Sequence, residues 1–117
     1  MSKSIHSRGL LIHRVLQTAL APKNPETLNN LAWLFLQKGK VSEALPFTMR
    51  AMKVAPQYPH ILDTYAAVMF RLGNCTSATA AQQRAVARLT PAGRAEHPEF
   101  EKTLATYQAA CPKRPRN

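Results

Sequence analysis

The sequence predicts an all-α fold, a helix–turn–helix array of about six helices. Three observations lead there. Apolar residues recur at three- and four-residue spacing through most of the 117-residue chain, the period of a helix with one buried face. Most of the nine prolines and the glycines fall at the edges of those segments, as punctuation. The stretch beginning at Pro25 also repeats its own pattern 34 residues later. A chain of this length can hold one domain with a modest core.

In residues 1–21 the positions Leu11, Ile12, Val15, Leu16 and Leu20 share helical spacing, which predicts an amphipathic helix from about Ser7 to Ala21. The segment carries Lys3, Arg8 and Arg14 and no acid. It is therefore also read against two targeting alternatives, a secretory signal and a mitochondrial presequence. His13, Arg14 and Gln17 interrupt the apolar run a secretory signal needs.

The next helix opens at Pro25, a favoured first position, with Glu26 complementing the positive end of the helix. Leu28, Leu31, Ala32 and Phe35 step along one face. Gly39 ends it, because glycine accepts the left-handed backbone that follows many helices. Ser42 is the expected cap of the following helix, which runs to about Ala55 with Pro46 loosening its start and Pro56 stopping it.

The pattern then returns. Pro25, Leu28, Ala32, Gly39, Ala44, Arg50 and Ala51 fall on Pro59, Leu62, Ala66, Gly73, Ala78, Arg84 and Ala85. Average composition alone would give roughly two such identities in a window of this length. Laid backwards, the same period places Pro22, Leu20, Val15 and Leu11 against Pro56, Val54, Met49 and Leu45. The N-terminal helix thus reads as the second half of an earlier unit. After Arg88 the segment LTPAGRAEH reads as a loop, and Pro98 opens a last helix, Glu99–Ala110, with Phe100, Leu104 and Tyr107 on its apolar face.

Leu28–Phe35 (LNNLAWLF) and Leu62–Met69 (LDTYAAVM) resemble the first helix of a tetratricopeptide repeat, whose 34-residue pattern is W-x2-L-G-x2-Y…A-x3-F…P. Leu28 and Leu62 stand at the tryptophan, Leu31 and Tyr65 at the leucine, Ala32 and Ala66 at the glycine, Phe35 and Met69 at the tyrosine. Ala44 and Ala78 match the alanine of the second helix, and Pro56 the closing proline. Thr48 and Gln82 depart from its aromatic. The resemblance divides the chain into an N-terminal half-repeat (1–21), repeats at 25–58 and 59–91, a capping helix (97–111) and a basic tail (112–117). It implies a right-handed solenoid whose terminal helix closes an otherwise open core.

In that family the first helices line a groove that holds a peptide. Carried over by position, the groove residues are Glu26, Asn29, Trp33, Leu36 and Gln37 from the first repeat. His60, Asp63, Ala67, Phe70 and Arg71 follow from the second. Trp33, which does not occupy the motif's own tryptophan position, offers the large apolar area and single donor of a binding anchor. Glu26 and Asp63 intrude on the basic cluster with which chaperone-binding members clamp a carboxylate. The expected function is a non-catalytic adaptor or assembly subunit that binds a protein or peptide, with self-association as a further option.

Charge supports a second reading. Sixteen Lys and Arg against six Asp and Glu leave a net +10, which favours acidic partners and raises nucleic-acid binding through a positive surface as the alternative. The basic residues are spread along the chain, however, and only the tail PKRPRN clusters them. The sequence holds no phosphate-binding loop, paired-carboxylate set or metal-ligand spacing, so neither catalysis nor a cofactor is expected. No apolar run is long enough for a membrane span. Cys75 and Cys111 are read as free thiols or, since both lie beside turns on one edge of a regular stack, as a disulfide. The compartment stays open, with the cytoplasm favoured over the periplasm or an organelle.

Overall fold

The computed structural model describes residues 24–111. All regular structure among them is helical: α1 (Pro25–Gln37), α2 (Val41–Val54), α3 (Pro59–Arg71), α4 (Cys75–Arg88), α5 (Pro91–Glu96) and α6 (Glu99–Ala110). The helix expected in residues 1–21, its targeting alternatives and the basic tail 112–117 lie outside the described residues. The six helices are therefore not quite the six expected, because α5 occupies the segment read as a loop. Its start is well specified. The Thr90 hydroxyl accepts from the Gly93 N–H at 3.0 Å, and Pro91 supplies a preset first residue. Gly93 reads as a breaker in sequence. Here it permits close approach, since a Cβ at this position would stand 3.2 Å from the Thr90 hydroxyl.

The boundaries of α1 follow from its capping chemistry. Asn24 Oδ1 accepts from the backbone N–H groups of Glu26 (3.0 Å) and Thr27 (3.2 Å), satisfying two donors that have no partner within the helix. At the other end Gly39 takes φ +76°. The Lys40 N–H then reaches the Phe35 carbonyl at 2.9 Å and the Gly39 N–H the Leu36 carbonyl at 3.0 Å. These two bonds close a helix end only when the residue between tolerates positive φ. The second unit repeats the device: Gly73 has φ +86°, and Asn74 and Gly73 donate to Met69 and Phe70. Ser42 does not cap α2. That helix is capped two residues earlier, at Lys40, and without a side-chain hydrogen bond. Pro46 sits within α2 without ending it.

Packing follows chain order. Helix α1 lies on α2 and α3 on α4, α3 also meets both helices of the first pair, and α6 packs on α4. The core is one continuous cluster. Each pair contributes three alanines with no exposed surface, Ala32, Ala44 and Ala51 in the first and Ala66, Ala78 and Ala85 in the second. Leu28 and Leu62 are also fully buried. Leu31 and Phe35, on the apolar face read from the sequence, and Tyr65, at the motif's leucine position, are only partly buried and pack against the core. Phe47 fills the space between α1 and α2, stacked on Phe35 at 5.6 Å. An aromatic thus sits one residue before Thr48, where the repeat pattern departs from one. The two units are tied further by Arg84, which donates to the Pro56 carbonyl at 3.1 Å.

Helix α6 covers the second pair with Phe100 and Tyr107, 2% and 6% exposed. Its opening proline, Pro98, stands 39 residues after Pro59 rather than 34, and α5 takes up the difference. Gln82, fully buried in α4, donates from Nε2 to the Phe100 carbonyl (3.1 Å) and to Asp63 Oδ1 (2.9 Å). Cys75, the first residue of α4, is joined to Cys111 at the end of α6, with Cα atoms 5.6 Å apart.

Two measurements test this packing. Ala66→Phe places a ring where no free volume exists and is expected to cost about 1–3 kcal/mol in chemical denaturation. The double substitution Cys75→Ser with Cys111→Ser removes a crosslink over 36 residues of sequence. It is expected to lower stability by about 2–4 kcal/mol, an effect that reductant should reproduce in the unsubstituted protein.

Candidate partner-binding face

On α1 the residues Glu26, Asn30, Trp33 and Gln37 are all exposed. Their spacing of four, three and four places them in one line along the helix. The opposite side buries Leu28, Ala32 and Leu36. Leu36 was expected on the groove wall, and the structure corrects this: it is 3% exposed and belongs to the core. The reason is its register, since it stands four residues beyond Ala32 and eight beyond Leu28, in the row that α1 must bury against α2. Trp33 remains 43% exposed. Asn29 is half-buried, and its Oδ1 is shielded from solvent without a hydrogen-bond partner.

The α3 residues divide differently. The His60 ring is edge-on to His97, the C-cap of α5, at 4.9 Å and to Phe100 of α6 at 5.3 Å, and is tilted against Tyr58 at 5.8 Å. Asp63 is held by Gln82. Phe70, expected to face the groove, stacks on Tyr107 at 4.5 Å, so it serves the contact with the capping helix. Ala67 is half-buried and Arg71 exposed. Of the residues carried over by position, the structure thus gathers Glu26, Asn29 and His60 around one recess. Trp33 and Gln37 lie one and two turns further along α1.

That recess, about 190 Å³, is lined by Glu26, Asn29, Asn30, Tyr58, His60 and Ile61. A second of about 230 Å³ adjoins it, lined by Asn24, Pro25, Glu26, Ala55, Tyr58 and Ile61. Glu26, Tyr58 and Ile61 line both. Tyr58 escaped the sequence reading because it lies in the connection between the two units rather than on a helix face. Its flanking prolines, Pro56 and Pro59, were the available signal. A wider hollow of about 510 Å³ lies between α4 and α6 around the disulfide, lined otherwise by Thr76, Thr79, Ala80, Gln83 and Gln108. None of those side chains carries a charge.

Electrostatics are unequal across the α3–α6 contact. Burial pushes the Asp63 carboxyl above its ordinary value, against the opposing effects of the Gln82 hydrogen bond and of His60. Tyr107 is raised to about 12, first by burial and then by Asp63, with Arg71 acting the other way. Glu99, fully exposed at the start of α6, is held low by a backbone N–H and by His97, whose Nδ1 lies 2.9 Å from its carboxylate. Among the described residues no three His, Cys, Asp or Glu side chains converge as a metal site, and no helix is long and apolar enough to cross a membrane.

The Asp63 shift carries a sign. A carboxyl whose folded pKa exceeds its unfolded value binds its proton more readily in the native state, so stability falls as pH rises from 3.8 through the folded pKa. Asp63→Asn keeps the oxygen that accepts from Gln82 and removes the buried charge. It is expected to raise the melting temperature at neutral pH and flatten the loss of stability between acid and neutral pH, read from thermal melts across that range.

The chain matches no protein-family model, no curated protein and no solved structure.

Proposed function

We propose that the protein is a non-catalytic interaction module of the tetratricopeptide type, which holds a protein or peptide segment along α1 beside α3. The observation that carries this reading is the exposed line Glu26–Asn30–Trp33–Gln37 on a helix whose other side is fully committed to the core. A half-exposed tryptophan in such a line is a large, stiff contact surface with one donor, the composition of an interface anchor. The 34-residue spacing of two similarly closed helix pairs supports the repeat reading, as does the position of α6 against the second pair. In such an array α6 closes one end, and the first helices present a shallow face of two units. With so short a face, the fitting partner is one held in a lasting assembly rather than a brief peptide encounter.

The test is affinity capture from the native host, with crosslinking and mass spectrometry, comparing the unsubstituted protein with Trp33→Ala. The expected result is a reproducible protein partner crosslinked near Trp33. Its affinity should drop by about 2 kcal/mol or more on removing the indole, while the melting temperature holds. Recovery of nucleic acid alone, or a partner indifferent to Trp33→Ala, would overturn the proposal.

A further inference from the structure

We infer that the two recesses lined in common by Glu26, Tyr58 and Ile61 receive a lysine or arginine side chain of the partner. The inference rests on the protein-binding reading above and names the chemistry of one of its contacts. The chain as a whole carries +10, yet no described Lys or Arg lines either recess. Their polar lining is one carboxylate, the amides of Asn24, Asn29 and Asn30, an imidazole and a phenol ring, beside Pro25, Ala55 and Ile61. Glu26 is exposed and makes no ion pair with any described residue. Tyr58 is 52% exposed and touches only the His60 ring among aromatic neighbours, which leaves ring surface for a cation.

Helix starts ordinarily favour anions, and both α1 and α3 begin here. Their free donors are largely spent. Asn24 takes the Glu26 and Thr27 N–H groups, Pro25 and Pro59 have none, and the Ile61 and Leu62 N–H groups donate to the Tyr58 carbonyl. The full charge of Glu26 therefore dominates at short range. A guanidinium or an ammonium supplies what this set lacks: a counter-charge for Glu26 and a cation for the Tyr58 face. Because the chain's overall charge repels cations at a distance, the matching partner carries its basic residue on an otherwise neutral or acidic segment. Trp33 lies seven residues beyond Glu26 along α1, about 10 Å. An extended partner strand would thus set an apolar side chain about three residues from the basic one.

The test is a titration of the full chain at pH 7.5, with N-acetyl-arginine amide and N-acetyl-lysine amide as probes, followed by amide NMR shifts. N-acetyl-norleucine amide and N-acetyl-glutamate amide serve as controls. The expected result is saturable, millimolar binding of at least one basic probe, with shifts confined to the neighbourhood of Glu26, Asn29, Tyr58 and Ile61. Affinity should weaken about threefold or more in Glu26→Gln and, separately, in Tyr58→Leu, and should decline as salt is added. Equal response to norleucine or glutamate, failure of both basic probes to saturate, or indifference to both substitutions overturns the inference. A protein partner captured in a Trp33-dependent way would survive any of those failures, so the two readings fall separately.

Discussion

Close approach of paired helices through alanine is the constraint on which this structure depends. Ala32, Ala44 and Ala51, and then Ala66, Ala78 and Ala85, have no exposed surface. Without side chains beyond Cβ at these positions, the helices of each pair can settle near the short end of the usual interaxial range. The turns suit that arrangement. Gly39 and Gly73 each reverse the chain within a few residues, with positive φ and paired carbonyl contacts, so the second helix returns directly against the first. Larger residues such as Leu28, Leu62, Phe47 and Ile61 then fill the rest of the core. What α1 can present to a partner is the remainder after these demands are met, and Trp33 stands in that remainder.

The second pair solves its packing with polar chemistry where the first uses an aromatic. Phe47 stacks on Phe35 in the first, whereas its counterparts one period on are Ala81 and Met69. Gln82 supplies the connection instead. It directs both amide hydrogens to fixed acceptors, one on α3 and one on α6, while its Oε1 is buried without a partner. A satisfied donor pair with an orphan acceptor is a costly core element. Its return is orientation: Gln82 sets where Phe100 lies, and Phe100 with Tyr107 fixes His60 and Phe70. The disulfide anchors the other end of the same helix.

Much of this organisation was legible in sequence because prolines and glycines mark element ends by backbone chemistry. Pro25, Pro59 and Gly39 did so correctly, as did the apolar register of Leu28, Ala32, Leu62 and Ala66. The departures have local causes. Ser42 has the right chemistry for a cap, but α2 starts from Lys40, two residues sooner, where the chain closes α1. Gly93 resembles a breaker until the Thr90 hydroxyl is seen to need the space. Leu36 and Phe70 hold equivalent positions, and each goes to packing, one into the core and the other under Tyr107. The cysteine pairing could not be decided in sequence, since it depends on α6 running back along α4, and α5 sets that path. Glu26, Asn29 and Trp33 were reachable by repeat position. Tyr58 was not, because connections carry no periodicity.

Beyond α4 the second pair is covered: α6 lies across it, Gln82 donates to it and Cys75 is bonded to its far end. Because that bond joins the first residue of α4 to the residue that follows α6, a single backbone cut in α5 or its flanking connections would leave α6 covalently attached to α4.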